Sequence, residues 1–145
     1  SSRPAVVTQP ATRSTDLPDH INDPGMPIHT APFSTMVRDD NYVFLSGLVA
    51  TDMEGGETVF GDIADETRLV MTTIRRLLAS VGLDMEDIVR VDVHLTDLDD
   101  MDAMNAIFGP FFAEGKRPAR TTTQSAKLAG GSSVEITCMA RIREA

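Results

Sequence analysis

Hydrophobic positions in this chain recur with a helical period in two segments. The stronger pattern covers residues 62–81, where apolar or neutral side chains follow the i, i+3, i+4, i+7 spacing of one helix face. Asp62, Asp65 and Glu66 lie at its start, where the helix dipole favours negative charge, and Gly82 follows its end. The sequence therefore predicts a long amphipathic helix over this segment.

A second, shorter helix is predicted from about Asp99. Its apolar stripe consists of Met101, Met104, Ile107, Phe108 and Phe111 or Phe112. Gly109-Pro110 lies inside the pattern, and proline both removes a backbone donor and clashes with the preceding turn. We therefore expect a kink or a break before Phe111.

Alternating apolar and polar side chains predict strands before, between and after these helices. The predicted strands are Ser34–Arg38, Asn41–Gly47, a short Glu57–Phe60, residues 87–96, Arg120–Ala126 and Ser132–Ile142. In the strand between the helices, the side chains expected on the buried face are Val89, Val91, Val93 and Leu95. In the last strand, the expected buried face is formed by Val134, Ile136, Cys138, Ala140 and Ile142.

The order β-β-(β)-α-β-α-β-β predicts a fold of the α+β class. Two helices cover only one face of such a sheet, so we expect a two-layer sandwich with a mixed, mostly antiparallel sheet. The uncovered face would carry polar residues such as Arg90, His94 and Glu135, which suit contact with water or with another subunit.

The first thirty residues differ from the rest in composition, because they hold five of the eight prolines and keep no regular period. We interpret residues 1–30 as a Pro-rich arm and residues 31–145 as a single domain. The arm is expected to lie across the folded body or a neighbouring subunit; the alternative is disorder up to about Pro18.

Charge and composition limit the classes of partner. The formal net charge of −9 repels phosphate backbones, so nucleic acid is not expected, although a local basic pocket for a small anion stays possible. No apolar run approaches the ~20 residues of a membrane span, and no signal peptide is visible, so we expect a cytoplasmic protein. A lone cysteine and no zinc-type histidine spacing predict neither an internal disulfide nor a metal site.

Two charged residues in the C-terminal strands are the main candidates for chemistry. Arg120 offers a rigid fork of donors that matches a carboxylate in a way lysine does not. Glu135 lies on the polar face of its strand, where a carboxylate can act as a general base toward water. The alternative for both is a solvent-exposed strand residue paired with a surface charge.

The spacing of these two residues limits how they could meet. In a plain hairpin turning at Gly130-Gly131, Arg120 and Glu135 would lie on the order of 20 Å apart along the sheet. Either the two strands are not neighbours, or the two residues meet across a subunit boundary. We predict the second arrangement, a site shared between protomers.

A series of short motifs, in order and spacing, resembles the RidA (YjgF) family over residues 31–143. The motifs are Ala31-Pro32-Phe33-Ser34, Leu45-Ser46-Gly47, Gly61-Asp62-Ile63, Thr67-Arg68, Val93-His94-Leu95-Thr96-Asp97, Asn105, Phe111-Phe112, Arg117-Pro118-Ala119-Arg120 and Val134-Glu135-Ile136. The resemblance implies a chorismate-mutase-like fold, a homotrimer and deamination of reactive 2-imino or enamine acids without a cofactor or metal. It also brings the older family label of an endoribonuclease (L-PSP) that inhibits translation.

Position by position, the resemblance implies that Arg120 binds the substrate carboxylate and that Glu135 positions the attacking water. It also implies that Ser46, Gly47 and Thr122 line the pocket, and Asn105 is interpreted as a structural residue of the helix.

Two positions depart from the family pattern. Phe33 stands where many members have a tyrosine whose hydroxyl reaches the pocket, and Leu48 replaces a frequent glutamine. Both changes make the predicted pocket more apolar and leave its substrate open.

The sequence thus predicts a hydrolase resembling a 2-iminobutanoate/2-iminopropanoate deaminase, which converts a small-molecule carboxylate into a 2-oxo acid and ammonia. One alternative is a deaminase of a larger catabolic enamine on the same scaffold. Another is a non-catalytic trimer that binds small carboxylates or a protein partner. The net charge of −9 disfavours a ribonuclease.

Overall fold

The computed structural model describes residues 18–26 and 31–143. Its strands are β1 (Asp19–Ile21), β2 (Met36–Arg38), β3 (Tyr42–Leu45), β4 (Leu48–Val49), β5 (Ile88–Leu95), β6 (Ala119–Gln124) and β7 (Val134–Arg141). Its α-helices are α1 (Gly56–Val59), α2 (Ile63–Ser80) and α3 (Met101–Phe108).

The seven strands form one sheet in the order β1-β2-β3-β7-β5-β6, and the short β4 also pairs with β7. Neighbouring strands are antiparallel except β5 and β6, which are parallel. The apolar faces of α2 and α3 pack against one side of this sheet and enclose the core with it. The α+β sandwich expected from the element order is therefore confirmed.

Helix α2 begins and ends where the sequence predicts. The Oδ1 atom of Asp62 accepts a hydrogen bond from the amide of Asp65 at 2.9 Å, which caps the helix. Gly82 follows the last turn with φ near 80°, a left-handed conformation that costs glycine little. The buried face comprises Glu66, Thr67, Val70, Met71, Thr73, Ile74, Leu77 and Leu78.

Helix α3 ends at Phe108, and a 3₁₀ turn over Gly109–Phe111 replaces the next α-helical turn. The break before Phe111 that the sequence predicts is therefore observed. It is caused by Pro110, which has no amide hydrogen to donate. The rings of Phe108 and Phe112 still reach the core, with their centroids 5.0 Å apart.

Two local predictions were wrong. The segment Glu57–Phe60 was expected to be a strand, but Gly56–Val59 is a short helix. Gly56 fits there because a β-carbon would collide with the carbonyl oxygen of Ala50.

The second error concerns Val89, which was expected on the buried face of β5. Its side chain is 37% exposed, and Ile88 is buried instead. The pairing of β5 with β7 shifts register between Ile88 and Arg90, as expected for a β-bulge, and this shift moves Val89 out of the alternation.

Residues 19–26, which the sequence assigned to the arm, lie against the sheet and α2. Strand β1 pairs with β2, and the carboxylate of Asp23 accepts hydrogen bonds from Arg76 at 3.0 Å and the amide of Gly25 at 2.8 Å. The division of the chain at residue 30 stays a prediction. Of the helices in residues 18–26 and 31–143, none has the length and apolar character that would carry it across a bilayer.

A buried carboxylate joins the helical layer to the sheet. Glu66 has 0% of its surface exposed, and its two oxygens accept hydrogen bonds from the amides of Gly61 at 2.7 Å and Ser133 at 2.9 Å. Ser133 lies directly before β7, so the side chain of Glu66 links the start of α2 to the start of β7. The sequence suggested only a favourable interaction of Glu66 with the helix dipole.

Replacing Glu66 by alanine would leave two backbone amides without their acceptor. We expect the free energy of unfolding to fall by about 2–4 kcal/mol, and by less for Glu66→Gln, which keeps one acceptor oxygen. Chemical denaturation at equal protein concentration measures this loss. The control is Glu57→Ala on the exposed face of α1, where we expect a change within about 0.5 kcal/mol. Equal effects of the two alanine variants would contradict the role of Glu66.

Candidate functional site

The side chain of Arg120 lies between β6 and helix α3. Its Nη1 donates a hydrogen bond to Oδ1 of Asn105 at 2.7 Å, and its guanidinium carbon lies 5.0 Å from the centre of the Phe108 ring. Partial burial lowers the pKa of the Arg120 guanidinium from its ordinary value. Among residues 18–26 and 31–143 the Arg120 guanidinium forms no ion pair. Its contacts there are the side-chain amide of Asn105 and the ring of Phe108.

A pocket of about 390 Å³ opens beside this guanidinium. Its lining residues are Asn105, Phe108, Gly109, Arg117, Pro118 and Arg120. Thr122 follows Arg120 on the same face of β6, and its hydroxyl is buried without a hydrogen-bond partner in the described part of the chain. The pocket thus presents cationic and polar groups and no carboxylate.

Glu135 lies on β7 and faces the uncovered side of the sheet. A β-carbon at Gly47 would collide with Oε2 of Glu135 and would stand 3.0 Å from the hydroxyl of Thr137, so this close approach requires glycine at position 47. On the other side, His94 of β5 is the cross-strand neighbour of Glu135.

Phe33, Ser46 and Gly47 line a larger cavity of about 660 Å³ beyond the end of β3. Its other lining residues are Gly25, Met26, Ala31, Thr35, Leu48, Thr51, Asp52, Met53, Glu54 and Ala129. The hydroxyl of Ser46 already donates to the carbonyl oxygen of Ser34 at 2.6 Å, which fixes this corner of the backbone. The walls are mainly apolar, in agreement with what Phe33 and Leu48 imply.

The structure does not bring Arg120 and Glu135 together within one chain. Strand β5 lies between their strands, so the hairpin considered from the sequence does not form. Arg120 pairs with Val91 and Glu135 with His94, positions three residues apart that face opposite sides of the sheet. Their Cα atoms are on the order of 14 Å apart.

The candidate residues therefore form two groups. The first group, Arg120 and Thr122, lies on the helical side of the sheet. The second group consists of Glu135 on the uncovered side and the cavity residues Phe33, Ser46 and Gly47, and it is held together by the close approach of Gly47 to Glu135.

The sequence did not single out three residues that shape the Arg120 pocket: Asn105, Phe108 and Arg117. Asn105 was interpreted as structural and Phe108 as core, and Arg117 was noted only as part of a motif. Asn105 and Phe108 lie on α3, and only the parallel pairing of β6 with β5 places them beside Arg120; one sequence does not give that pairing.

Two other residues that often carry chemistry, His94 and Cys138, have structural contacts here. Nδ1 of His94 shares a hydrogen bond with the hydroxyl of Thr123 at 2.8 Å. Burial raises the pKa of the Cys138 thiol to about 12, which leaves it a poor nucleophile. In the described ranges, no three His, Cys, Asp or Glu side chains are grouped as metal ligands would be.

The comparisons with known proteins agree on one family. The family model described as endoribonuclease L-PSP matches residues 25–142. A RutC family protein of Pyrococcus horikoshii is 34% identical over 109 residues, which cover 75% of this chain and 86% of that protein. A mouse protein named 2-iminobutanoate/2-iminopropanoate deaminase is 32% identical over 114 residues, covering 79% of this chain and 84% of that protein.

The fold agrees with a solved structure as well. The crystal structure of RidA from an Antarctic Psychrobacter species superposes with a TM-score of 0.75 at 28% identity, covering 86% of this chain and 99% of that one. The family match begins at residue 25, slightly before the start of the resemblance seen in the motifs. The chain belongs to the RidA (YjgF) family, whose model carries the description endoribonuclease L-PSP.

Proposed function

We propose that the protein is a RidA-type deaminase that hydrolyses 2-imino or enamine acids to 2-oxo acids and ammonia. The observation that carries the proposal is the Arg120 guanidinium, which lines a pocket with no carboxylate partner in the described residues. The names of the relatives support the reaction class, since the mouse relative is named for it.

In the proposed mechanism Arg120 binds the substrate carboxylate through two parallel N–H donors. Asn105 positions the guanidinium through its 2.7 Å hydrogen bond, and the Phe108 ring limits its movement on one side. Because Asn105 accepts from only one donor of the fork, the other donors stay available to the substrate.

Glu135 is proposed to orient a water molecule and to accept its proton as the water oxygen attacks the imine carbon. That attack gives a tetrahedral carbinolamine. When the nitrogen gains a proton and the C–N bond breaks, ammonia leaves and the carbonyl of the 2-oxo acid forms. Aligning water with the imine supplies much of the acceleration, because it replaces a bimolecular encounter by a fixed geometry.

The site is proposed to lie between protomers of a homotrimer. Arg120 and Glu135 face opposite sides of one sheet on the order of 14 Å apart, a gap that one small imino acid does not bridge through the sheet. A second copy that places its Glu135 and its Phe33–Ser46–Gly47 cavity against the Arg120 pocket supplies the missing half.

A second candidate is a deaminase of a larger catabolic enamine, and the cavity favours it. Its volume of about 660 Å³ exceeds what a two- or three-carbon side chain fills, and Met26, Phe33, Leu48 and Met53 give it apolar walls. Rates on imines with short and long apolar side chains distinguish the two candidates.

Removing the guanidinium tests the carboxylate-binding role. For Arg120→Ala we expect kcat/KM to fall by about 100-fold, since charge-assisted hydrogen bonds to the carboxylate are lost, and Arg120→Lys should be intermediate. The assay follows release of ammonia from 2-iminopropanoate generated in solution by an amino acid oxidase. Arg68→Ala, at an exposed arginine of α2, is the control. Equal rates above background for wild type and Arg120→Ala would refute the role, and no rate for either would favour a binding module.

Glu135→Gln keeps the shape of the side chain but removes its ability to accept a proton. We expect kcat to fall by about 100-fold or more while KM changes little. Calorimetric titration with 2-oxobutanoate checks that the carboxylate still binds. An unchanged kcat would show that Glu135 does not act on the water.

A mixing experiment tests whether the site is shared. Arg120→Ala and Glu135→Gln chains, each expected to keep about one hundredth of the activity or less when alone, are refolded together in equal amounts. If each site takes Arg120 from one protomer and Glu135 from its neighbour, random trimers hold intact sites with about one quarter of the wild-type activity. No recovery of activity would place both residues of a site in the same chain.

A further inference from the structure

The pocket beside Arg120 contains a second arginine that the proposed reaction does not use. Arg117 lines the same 390 Å³ pocket, and its Nη2 donates a long hydrogen bond of 3.3 Å to the carbonyl oxygen of Gly109. The other lining residues are neutral: Asn105, Phe108, Gly109 and Pro118. Two guanidinium groups therefore face one small pocket without a carboxylate.

Five of the eleven lysines and arginines in residues 18–26 and 31–143 form ion pairs with carboxylates, and the other six do not. The ion pairs in the described residues join Arg68 to Asp65, Arg76 to Asp23, Arg90 to Asp92, Lys116 to Glu86, and Arg143 to Glu86 and Asp87. In this described part of the chain, neither Arg117 nor Arg120 takes part in one. With a net charge of −9, carboxylates are abundant, yet none is placed at this pocket.

The two guanidinium groups are anchored on α3 and on the turn that follows it. Arg120 is held by the side chain of Asn105 and Arg117 by the carbonyl of Gly109, four residues later. Four residues correspond to about 6 Å along a helix axis. Anchors at this spacing suit an anion with two charged groups, such as a dicarboxylate of four or five carbons, and such a ligand relieves the repulsion between the two cations.

We propose that the preferred substrates are 2-imino acids with a second carboxylate, derived from acidic amino acids, and that Arg117 binds this second group. The proposal rests on the proposed role of Arg120 as the residue that binds the first carboxylate. Arg117 is then a specificity-determining residue, because it contacts the substrate away from the reacting carbon.

The apolar cavity does not conflict with this assignment. It has no lining residue in common with the Arg117–Arg120 pocket, and its lining includes Asp52 and Glu54, which repel an anion. The second carboxylate therefore belongs beside Arg117 and not in the cavity.

Equilibrium binding of product analogues tests the proposal independently of turnover. Calorimetric titrations at low ionic strength compare 2-oxoglutarate, a five-carbon dicarboxylate, with 2-oxobutanoate, which has one carboxylate. We expect the wild-type protein to bind 2-oxoglutarate about ten-fold more tightly, the gain from one additional charge-assisted contact. Arg117→Gln should reduce this ratio to about one while the Kd for 2-oxobutanoate stays within about two-fold.

Lys116→Gln is the matched control, because it removes one positive charge next to Arg117 at a side chain that is paired with Glu86 and does not line the pocket. It should keep the wild-type ratio. A wild-type ratio near one, a ratio unchanged by Arg117→Gln, or no binding of either acid would overturn the proposal. Arg117 would then do no more than cap the carbonyl end of α3.

The same titrations separate this inference from the proposed function. If the dicarboxylate preference depends on Arg117 but no imine is hydrolysed, the deaminase assignment fails and the dicarboxylate site stands. If imines are hydrolysed equally well with one or two carboxylates and the binding ratio is near one, the inference fails and the deaminase assignment stands.

Discussion

The pairing of β5 with both β6 and β7 determines on which side of the sheet Arg120 and Glu135 lie. β5 bonds to β6 in parallel and to β7 in antiparallel register, so it separates two strands that follow one another in the sequence. Its buried side chains Val91, Val93 and Leu95 fix which face of each neighbour meets the helices. A shift of one residue in the β5–β6 ladder would exchange the faces of β6 and move Arg120 away from α3, and the same shift in the β5–β7 ladder would exchange the faces of β7.

Much of the framework could be predicted from the sequence because it depends on local signals. The periodicity and acidic first turn of α2, the interruption of α3 at Pro110 and the alternation from Val134 to Ala140 each involve residues close together in the chain. The errors at Val89 and at Gly56–Val59 came from a bulge and from a glycine contact with Ala50, which depend on other segments.

The candidate site was less predictable for the same reason. Arg120 and Glu135 stood out as charged residues in strand patterns and in family motifs. The contacts of Arg120 with Asn105 and Phe108 join residues on separate elements, and the approach of Glu135 to Gly47 joins segments that are far apart in the sequence. The charges and family motifs of the sequence therefore identify the candidate side chains. The pairing of strands that are far apart in the sequence determines which of these side chains are neighbours.

The outer edge of β6 has a consequence for handling the protein. Within the described ranges, β6 pairs only with β5. The backbone amides and carbonyls along the opposite edge of β6 are therefore available to pair with a strand of another molecule. Pro118 directly before the strand lacks one of these donors, and the exposed threonines at positions 121 and 123 keep the edge polar. Replacing these threonines by valine or isoleucine would keep the propensity for strand while removing that protection, and the engineered chain would tend to aggregate.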